Sequence, residues 1–443
     1  MSLQSHKTPT LKAALYDGMF FAAMIGLGEA YVAPFGLAAG LDASAIVLLG
    51  TLPSLVGAIS QLIGVYLCEQ GNGRKKWIVL FSGLQAIVLL FLSAAAIYAT
   101  FNINIVKVLI FPIIFTYFIF GHITGPLWNS LIGDLVPSDS RGVYFGFRNR
   151  WMGVIQVLAM ISSGVTLYFG KLSHLELYAF AALFLFASFA RMASTFYLNK
   201  YEDPPLQQSS SDYFSFWDFI RRAPKSNFAK YAIFTSALAL VHALSGSLFS
   251  VYMIRDMHLD YISFTILATT PSTAQLFFIP HWGRLADKFG NVRVLHFASV
   301  GLSLCPLWWL ISDSLWWLIL VQIYAGFVWA GFIIATGNFL FDAVTPAKRA
   351  RCAAYFTIVN TTGAACGGLI SREIISYLEL SQITFTGFQT VSSPLLLLFF
   401  ISGIGRLLVC ATLGYNFTEV RNVESTTRKE FLYTTLGFKR AMN

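Results

Sequence analysis

Charged side chains are scarce in this sequence. Asp, Glu, Lys and Arg together make up 12% of the 443 residues, whereas apolar residues make up 56%. Soluble domains carry roughly 25% charged residues, so this chain has too little charge for a fold surrounded by water. The composition excludes an ordinary soluble domain and indicates an integral membrane protein.

Cysteine is also rare, and its spacing excludes two common uses. The five cysteines stand far apart, without the close pairs that bind zinc. They lie in apolar runs or beside them, where thiols act as small packing residues. We therefore expect neither a metal site nor a disulfide framework from Cys68, Cys305, Cys352, Cys366 and Cys410.

Signatures of ATP hydrolysis and of hydrolytic catalysis are missing. The sequence contains neither a Gly-x-x-x-x-Gly-Lys-Ser/Thr loop nor a His-Glu-x-x-His pattern. We therefore expect no cofactor, no enzymatic activity and no ATP-driven step within this chain.

Long apolar runs fill most of the chain. A helix that spans a membrane needs about 20 mostly apolar residues, and runs of this length are not the short alternating segments of an outer-membrane barrel. We predict an all-α integral membrane fold with twelve transmembrane helices. The predicted helices are 13–39, 45–67, 77–99, 106–134, 143–169, 175–197, 231–253, 262–285, 294–311, 315–341, 352–377 and 394–416.

The sequence repeats itself at about half its length. Leu41-Asp42 recurs 218 residues later as Leu259-Asp260. Further matches keep a similar spacing: Pro53-Ser54 with Pro271-Ser272, Glu69 with Asp287, Lys75 with Arg293, Asn129 with Asn338, Asp134 with Asp342, and Arg191 with Arg406. So long a period indicates two homologous halves. Two pseudo-symmetric six-helix bundles are typical of secondary transporters.

The repeat divides the chain into four predicted parts. An N-terminal bundle covers residues 1–198, a cytoplasmic linker 199–228, a C-terminal bundle 229–417 and a cytoplasmic tail 418–443. In the linker, Phe214, Phe216, Trp217 and Ile220 precede Arg221 and other basic residues. This pattern predicts a short amphipathic segment on the inner leaflet.

The distribution of positive charge predicts the topology. The net charge is +9, and with both termini inside only Lys107, Lys171 and Arg255 fall on the external side of the membrane. That asymmetry follows the positive-inside rule and explains the charge without a nucleic-acid partner. We expect a multi-pass protein of the cytoplasmic (inner) membrane with both termini cytoplasmic. The polar N-terminus runs straight into helix 1, so we expect no cleaved signal peptide.

Two loops resemble the signature loops of the major facilitator superfamily. Residues 283–293 read GRLADKFGNVR, similar to the family pattern G-x-L-a-D-r-x-G-x-r-r. The equivalent loop from Glu69 to Lys76 keeps an acid, a turn glycine and a basic cluster. The resemblance covers all twelve predicted helices. It implies the major facilitator fold, transport of a small solute by alternating access, and a monomer embedded in lipid.

Other residues resemble one poorly characterised bacterial branch of that superfamily. They are Asp17-Gly18, Gly133-Asp134, Arg141-Gly142, Arg148-Asn149 and, in the second half, Asp342 with Arg349. Helix 5 lacks the G-P-x-x-G-G run of drug/proton antiporters. Those antiporters often carry an arginine in helix 4, and this sequence has His122 in that region instead. Both departures weigh against drug efflux.

The acidic loop residues predict a gate at the cytoplasmic ends of the helices. A helix N-terminus attracts a carboxylate by about 0.3–1 kcal/mol. We predict that Asp287 contacts the start of helix 5 and Glu69 the start of helix 11; the alternative is that these acids only fix loop geometry. The predicted gate set is Glu69, Arg74, Gly283, Arg284, Asp287, Gly290, Arg293, Asp134, Arg141, Asp342 and Arg349.

Four residues on helices 1, 4, 7 and 10 fall at one depth near the bilayer midplane. Glu29 lies 12 residues after Asp17, and His122 lies 12 residues before Asp134, which is roughly 18 Å of helix in each case. His242 and Trp329 reach a similar depth. In the family that the sequence resembles, these helices line the central cavity. We expect the solute and proton site here, with Tyr31, Gln156 and Gln275 as weaker candidates.

Glu29 is the strongest of these candidates. A lone carboxyl in a low-dielectric surrounding favours its protonated form, which suits proton coupling with His122 as a relay. The alternatives are that Glu29 only hydrogen-bonds a neighbouring helix or reaches to the outer face, and that the histidines and Trp329 only pack.

These observations predict a secondary active transporter. It moves a small organic solute across the cytoplasmic membrane, coupled to protons, with import slightly favoured. The first alternative is an exporter of drugs or other small molecules. The alternative from another class is a transport-dead receptor or scaffold.

Overall fold

The computed structural model describes residues 9–69, 73–136, 141–204, 221, 226–344, 349–421, 423, 431 and 434–435, with backbone alone at 69, 141–143 and 349–350. Twelve long helices dominate this part of the chain. In order they are α1 (Pro9–Leu27), α2 (Ala43–Glu69), α3 (Arg74–Tyr98), α4 (Ile103–Leu135), α5 (Arg141–Leu172), α6 (Glu176–Leu198), α7 (Asn227–Ala243), α8 (Tyr261–Phe289), α9 (Asn291–Trp308), α10 (Leu315–Ala343), α11 (Arg349–Leu380) and α12 (Pro394–Leu413).

The predicted all-α fold with twelve helices is confirmed, and each predicted bound lies within four residues of an observed helical bound. Ten of the described helical stretches are long and apolar enough to cross a membrane. The other two, α9 and α11, pack among them: α9 against α10, and α11 against α2 and α7.

The bundle has two distinguishable ends. We call the end with the α2–α3 and α8–α9 connections the motif end, and the opposite end the far end. The repeated Leu-Asp pair lies at the far end, where Asp42 and Asp260 cap the starts of α2 and α8. Asp42 Oδ1 accepts from the Ala45 amide at 2.7 Å, and Asp260 Oδ1 accepts from the Ser263 amide at 2.9 Å. Each carboxylate satisfies an amide that has no partner within its helix.

The first helix of each half is broken, although both were predicted as continuous. After Gly28, α1 passes through a 3-10 turn at Glu29–Tyr31 and continues as a short helix, Val32–Ala38. α7 ends at Ala243 and resumes as Leu248–Val251 and a π-helical turn, Tyr252–Asp256. Hydropathy alone does not reveal such breaks, because the residues remain apolar through them.

The two halves are joined at the far end and separate at the motif end. One hydrophobic core at the far end contains residues of both halves, among them Tyr31, Phe35, Tyr252 and Phe264. At the motif end, one core belongs to the N-terminal half alone and another to the C-terminal half alone. Between the halves, α2 packs on α11 and α5 packs on α8.

The predicted linker and tail are described only in part. Phe214, Phe216, Trp217 and Ile220 lie outside the described residues, so the amphipathic segment stays a prediction. The described parts of the tail pack against the C-terminal half. Phe431 is 7% exposed and lies against Phe289 and Phe297.

Candidate functional site

Glu29 lies in the turn that interrupts α1 and faces α4. Its Oε2 atom accepts a hydrogen bond of 2.8 Å from the hydroxyl of Tyr117, which is 3% exposed. A hydroxyl can donate to a carboxylate and can also accept from a carboxylic acid. The pair can therefore stay hydrogen-bonded in both protonation states of Glu29. Sequence reasoning missed Tyr117, because nothing in the pattern of α4 singles it out.

His122 does not contact Glu29 directly. Its Nδ1 atom lies 2.9 Å from the carbonyl oxygen of Phe118 on its own helix, and its ring stacks on the Phe118 ring. The ring lies against Gly57 of α2, where an added Cβ would be 2.6 Å from Nδ1. A direct relay between His122 and Glu29 is thus not assembled in this conformation.

A buried charge cluster lies inside the N-terminal half, below Glu29 towards the motif end. Asp17 accepts from the Ser194 hydroxyl at 2.7 Å and from the Tyr201 hydroxyl at 3.0 Å. Its Oδ2 atom lies 3.4 Å from Nη2 of Arg148. Gly18 makes this approach possible, since a Cβ there would lie 2.6 Å from Arg148 Nη2.

Arg191 completes this cluster from α6. All three guanidinium nitrogens donate: Nε to Gln85 at 2.8 Å, Nη1 to Ser194 at 2.9 Å and Nη2 to Ser82 at 2.9 Å. Because Ser194 also donates to Asp17, it links the two charged groups. Asp17, Arg148 and Arg191 border a cavity of about 200 Å³.

His242 and Trp329 are brought together in the C-terminal half. Their ring centroids are 5.4 Å apart with the planes at 88°. Both border a cavity of about 130 Å³ that also meets Arg406 of α12. The predicted shared depth of these two residues thus corresponds to a contact, and their role in binding stays a prediction.

Tyr31 links the two halves rather than facing open space. Its hydroxyl donates to the Met160 carbonyl at 2.7 Å and lies 2.7 Å from the Thr265 hydroxyl of the other half. Gln156 of α5 and Gln275 of α8 are half-buried, and neither side chain is hydrogen-bonded within the described part of the chain. Their assignment to the cavity stays a prediction.

The N-terminal part of the predicted gate set is linked within its own half. Arg74, 2% exposed, pairs with Asp134 at 2.7 Å and lies 3.8 Å from Asp203. The side chains of Glu69 and Arg141 are outside the described residues, so the predicted contact of Glu69 with α11 stays untested.

The C-terminal part of the gate set is held by the tail. Arg421 lies 2.7 Å from Asp342 and 3.3 Å from Asp287, which is 75% exposed. Partial burial disfavours the charged form of Arg421, but these two carboxylates outweigh it and raise its pKa. The side chains at 141–143 are outside the described residues, so the predicted contact of Asp287 with the start of α5 stays a prediction.

Three of the remaining gate residues, Gly290, Arg284 and Arg293, belong to the α8–α9 connection and its flanking turns. Gly290 has φ +92°, a conformation that favours glycine. Arg284 is exposed, Arg293 is half-buried, and the side chain of Arg349 is outside the described residues. A Cβ at Gly283 would meet none of the described atoms within 4 Å.

Contacts across the two halves lie at the far end or near the middle of the helices. The Ser44 hydroxyl lies 2.8 Å from that of Ser376, and the Tyr261 hydroxyl donates to Glu176 at 2.5 Å. In the described residues, no salt bridge joins the halves at the motif end. In the part of the chain that the structure describes, one hydrophobic core joins the halves at the far end, and separate cores lie at the motif end.

A wider groove of about 690 Å³ lies along α5, α8 and α10. Aliphatic, aromatic and threonine side chains line it, and none of them is ionisable. Phe277 in this groove is 76% exposed. We regard the groove as a surface that lipid covers rather than as a solute site.

Sequence comparison relates the chain to transporters. The family model described as Major Facilitator Superfamily matches residues 231–434. The tetracycline resistance protein, class B, of Escherichia coli is 27% identical over 168 residues, which are 38% of this chain and 37% of that protein. The class H protein of Pasteurella multocida is 35% identical over 113 residues, 24% of this chain and 27% of that protein. The matches thus span well under half the length of these relatives.

Structure comparison covers nearly the whole chain. The nucleoside transporter NupG superposes with a TM-score of 0.67 at 14% identity, over 93% of this chain and 100% of that one. A D-xylose-proton symporter gives 0.66 at 13% identity, over 96% and 100%. An auto-inhibited POT family peptide transporter gives 0.70 at 12% identity, over 95% and 99%. Identities this low establish the shared fold alone.

Proposed function

We propose that the chain is a secondary active transporter of the major facilitator superfamily, whose family model matches residues 231–434, and that it moves a small organic solute by alternating access. The observation that carries this proposal is the difference between the two ends. One core joins the halves at the far end, and two separate cores lie at the motif end. This is one of the two states that rocking of two bundles about a central site requires.

The basic residues of the motif end support its placement in the cytoplasm. Arg74, Lys75 and Lys76 begin α3, and Arg284 and Lys288 lie at the end of α8, as the positive-inside rule expects for a cytoplasmic face. The described state is then open to the cytoplasm. In the opposite state, Asp287 would leave Arg421 and meet the start of α5, as the sequence predicts.

The Glu29–Tyr117 pair supports coupling to protons. An ionisable group within a membrane helix is costly and therefore marks a functional site by default. Broken helices are where transporters of several folds bind ions and substrates, and Glu29 lies in the break of α1. The rival role is a fixed hydrogen bond that only ties α1 to α4.

Import is the direction that we propose first, because the sequence departs from the drug/proton antiporter motifs in helices 4 and 5. Export is the second candidate. It is supported by the names of the relatives: two tetracycline resistance proteins, and an efflux pump of Aspergillus niger that is 28% identical over 109 residues.

Solute-driven proton movement in proteoliposomes tests this proposal. Vesicles with a pH-sensitive dye inside would receive sugars, nucleosides, amino acids, carboxylates or tetracycline, one at a time. We expect at least one solute to change the internal pH with the wild type. Glu29→Gln should abolish the pH change but keep solute–solute exchange, because its neutral side chain mimics the protonated carboxyl.

Tyr117→Phe is the matched control, since it keeps the carboxyl and removes only its hydroxyl partner. It should retain a solute-driven pH change. Solute flux without a pH change in the wild type would contradict proton coupling. An undiminished pH change with Glu29→Gln would show that the proton binds elsewhere.

A further inference from the structure

The C-terminal half contains a buried arginine that has no counter-charge among the described residues. Arg406 of α12 is 3% exposed. Its Nη1 donates to the Leu302 carbonyl at 2.9 Å and its Nη2 to the Ser245 hydroxyl at 3.0 Å. Nε has no hydrogen-bond partner, and no carboxylate of the described residues is within ion-pair distance. An uncompensated charge in such surroundings is costly.

Other polar groups without partners border the same cavity of about 130 Å³. Ser299 is fully buried, and its hydroxyl has no hydrogen-bond partner among the described residues. The ring nitrogens of His242 are also without a hydrogen bond to any residue that the structure describes. Arg406, Ser299 and His242 thus offer several donors to one small space, and a site rich in donors suits an anion.

The N-terminal half shows what the C-terminal cavity lacks. Arg191 is the repeat equivalent of Arg406, and the cavity beside it contains the carboxylate of Asp17. The repeat spacing of 218 residues aligns Asp17 with Thr235, which borders the C-terminal cavity. One half therefore carries its own carboxylate, and the other has a neutral threonine at that position.

We propose that the C-terminal cavity binds the carboxylate group of a small organic anion, which occupies the place that Asp17 has in the other half. A carboxylate matches the planar guanidinium of Arg406, whose two hydrogen bonds use only two of its five N–H donors. The site is separate from the Glu29–Tyr117 pair, and the proposal depends on neither the direction nor the coupling of transport.

The size and lining of the cavity favour an organic anion over an inorganic one. A volume of about 130 Å³ corresponds to about four water molecules, enough for a carboxylate with a short chain. Leu238, Trp329 and Phe332 form an apolar side of the cavity that suits hydrocarbon. Water alone would satisfy the free N–H groups but would leave the charge of Arg406 unbalanced.

Ligand-dependent thermal stability tests the proposal. The purified protein in chloride-free HEPES buffer would be titrated with sodium propionate, sodium chloride or the neutral isostere propionamide. A ligand that binds only the folded state raises the apparent Tm. We expect a saturating rise with propionate and no saturating rise with chloride or propionamide.

Substitutions of Thr235 and Arg406 locate the site. Thr235→Asp should abolish the response to propionate, because it supplies the missing carboxylate, and its Tm without ligand should approach that of the propionate-saturated wild type. Thr235→Asn, equal in size but neutral, should respond within about threefold of the wild-type midpoint concentration. Arg406→Gln should not respond.

If Arg406→Gln fails to fold, the comparison of Thr235→Asp with Thr235→Asn still decides the question. The proposal is overturned by an unresponsive wild type, by an equal response to chloride or propionamide, or by a Thr235→Asp variant that responds as the wild type does. None of these outcomes bears on the transport proposal, since no flux is measured.

Discussion

Asp17→Asn is expected to destabilise the protein through the loss of one charge. Asparagine has nearly the same size, and its carbonyl oxygen can still accept from Ser194 or Tyr201. What disappears is the negative charge beside Arg148 and Arg191. Both arginines are buried, at 6% and 3% exposure, so little water is present to replace it.

The structure gives the magnitude of this effect. At the 3.4 Å between Arg148 Nη2 and Asp17 Oδ2, Coulomb's law with an effective dielectric constant of about 20 gives about 5 kcal/mol. Removing one member of a buried pair, which leaves the other charge alone, costs about 3–5 kcal/mol. We therefore expect the free energy of unfolding to fall by about 3–5 kcal/mol.

Equilibrium unfolding with SDS in dodecyl maltoside micelles measures this change, and an Arg148→Gln background isolates the ion pair. In the Arg148→Gln background, Asp17→Asn should lower the free energy of unfolding by about 0.5–3 kcal/mol less than it does in the wild type, because the energies of contacting residues are coupled. Two results would refute the reasoning. One is that Asp17→Asn lowers the free energy of unfolding of the wild type by less than about 1 kcal/mol, which is less than most single substitutions in a buried network cost. The other is that Asp17→Asn costs the same in both backgrounds.

Two further predictions concern close packing and the far-end contact. Gly18→Ala puts a Cβ 2.6 Å from Arg148 and should cost about 1–3 kcal/mol in the same unfolding assay. Gly146→Ala, whose Cβ would meet nothing within 4 Å, should be neutral or slightly stabilising; equal costs would contradict the close approach. Ser44→Cys with Ser376→Cys, whose hydroxyls are 2.8 Å apart, should form a disulfide that stops solute flux until a reductant is added. Undiminished flux by fully cross-linked protein would contradict opening at the far end.

The helices could be predicted because their signal is local. Runs of about 20 apolar residues define a span whatever it packs against, so α6 and α10 were predicted within two residues. The interruption at Gly28 was missed, because the side chains around it keep the hydropathy of a helix. Its cause includes backbone chemistry: Pro34 has no amide hydrogen to donate to the preceding turn.

The candidate site was harder to predict, because depth along a helix says nothing about direction around it. His122 was paired with Glu29 on depth, but the partner of Glu29 is Tyr117. Tyr117 lies five residues earlier on α4, which turns the side chain by about 140° at 3.6 residues per turn. His242 and Trp329 were placed at one depth as well, and these two are in contact.

The charge cluster of the N-terminal half illustrates the same limit. Asp17, Arg148 and Arg191 were each noted in the sequence, but only packing of α1, α5 and α6 brings them together. No spacing along one chain could indicate that Ser194 links Asp17 to Arg191.

The measurement that tests alternating access most directly is a pair of spin-label distances, in a variant whose five cysteines are replaced. One label pair at Gly146 and Gly283 reports the motif end, where a Cβ at either glycine meets nothing within 4 Å. The other pair, at Ser44 and Ser376, reports the far end. We predict a short-distance and a long-distance population at each end. When the long-distance population grows at one end, it should shrink at the other, and Glu29→Gln should change the ratio of the two populations. A single, unchanging distance at both ends would contradict the account.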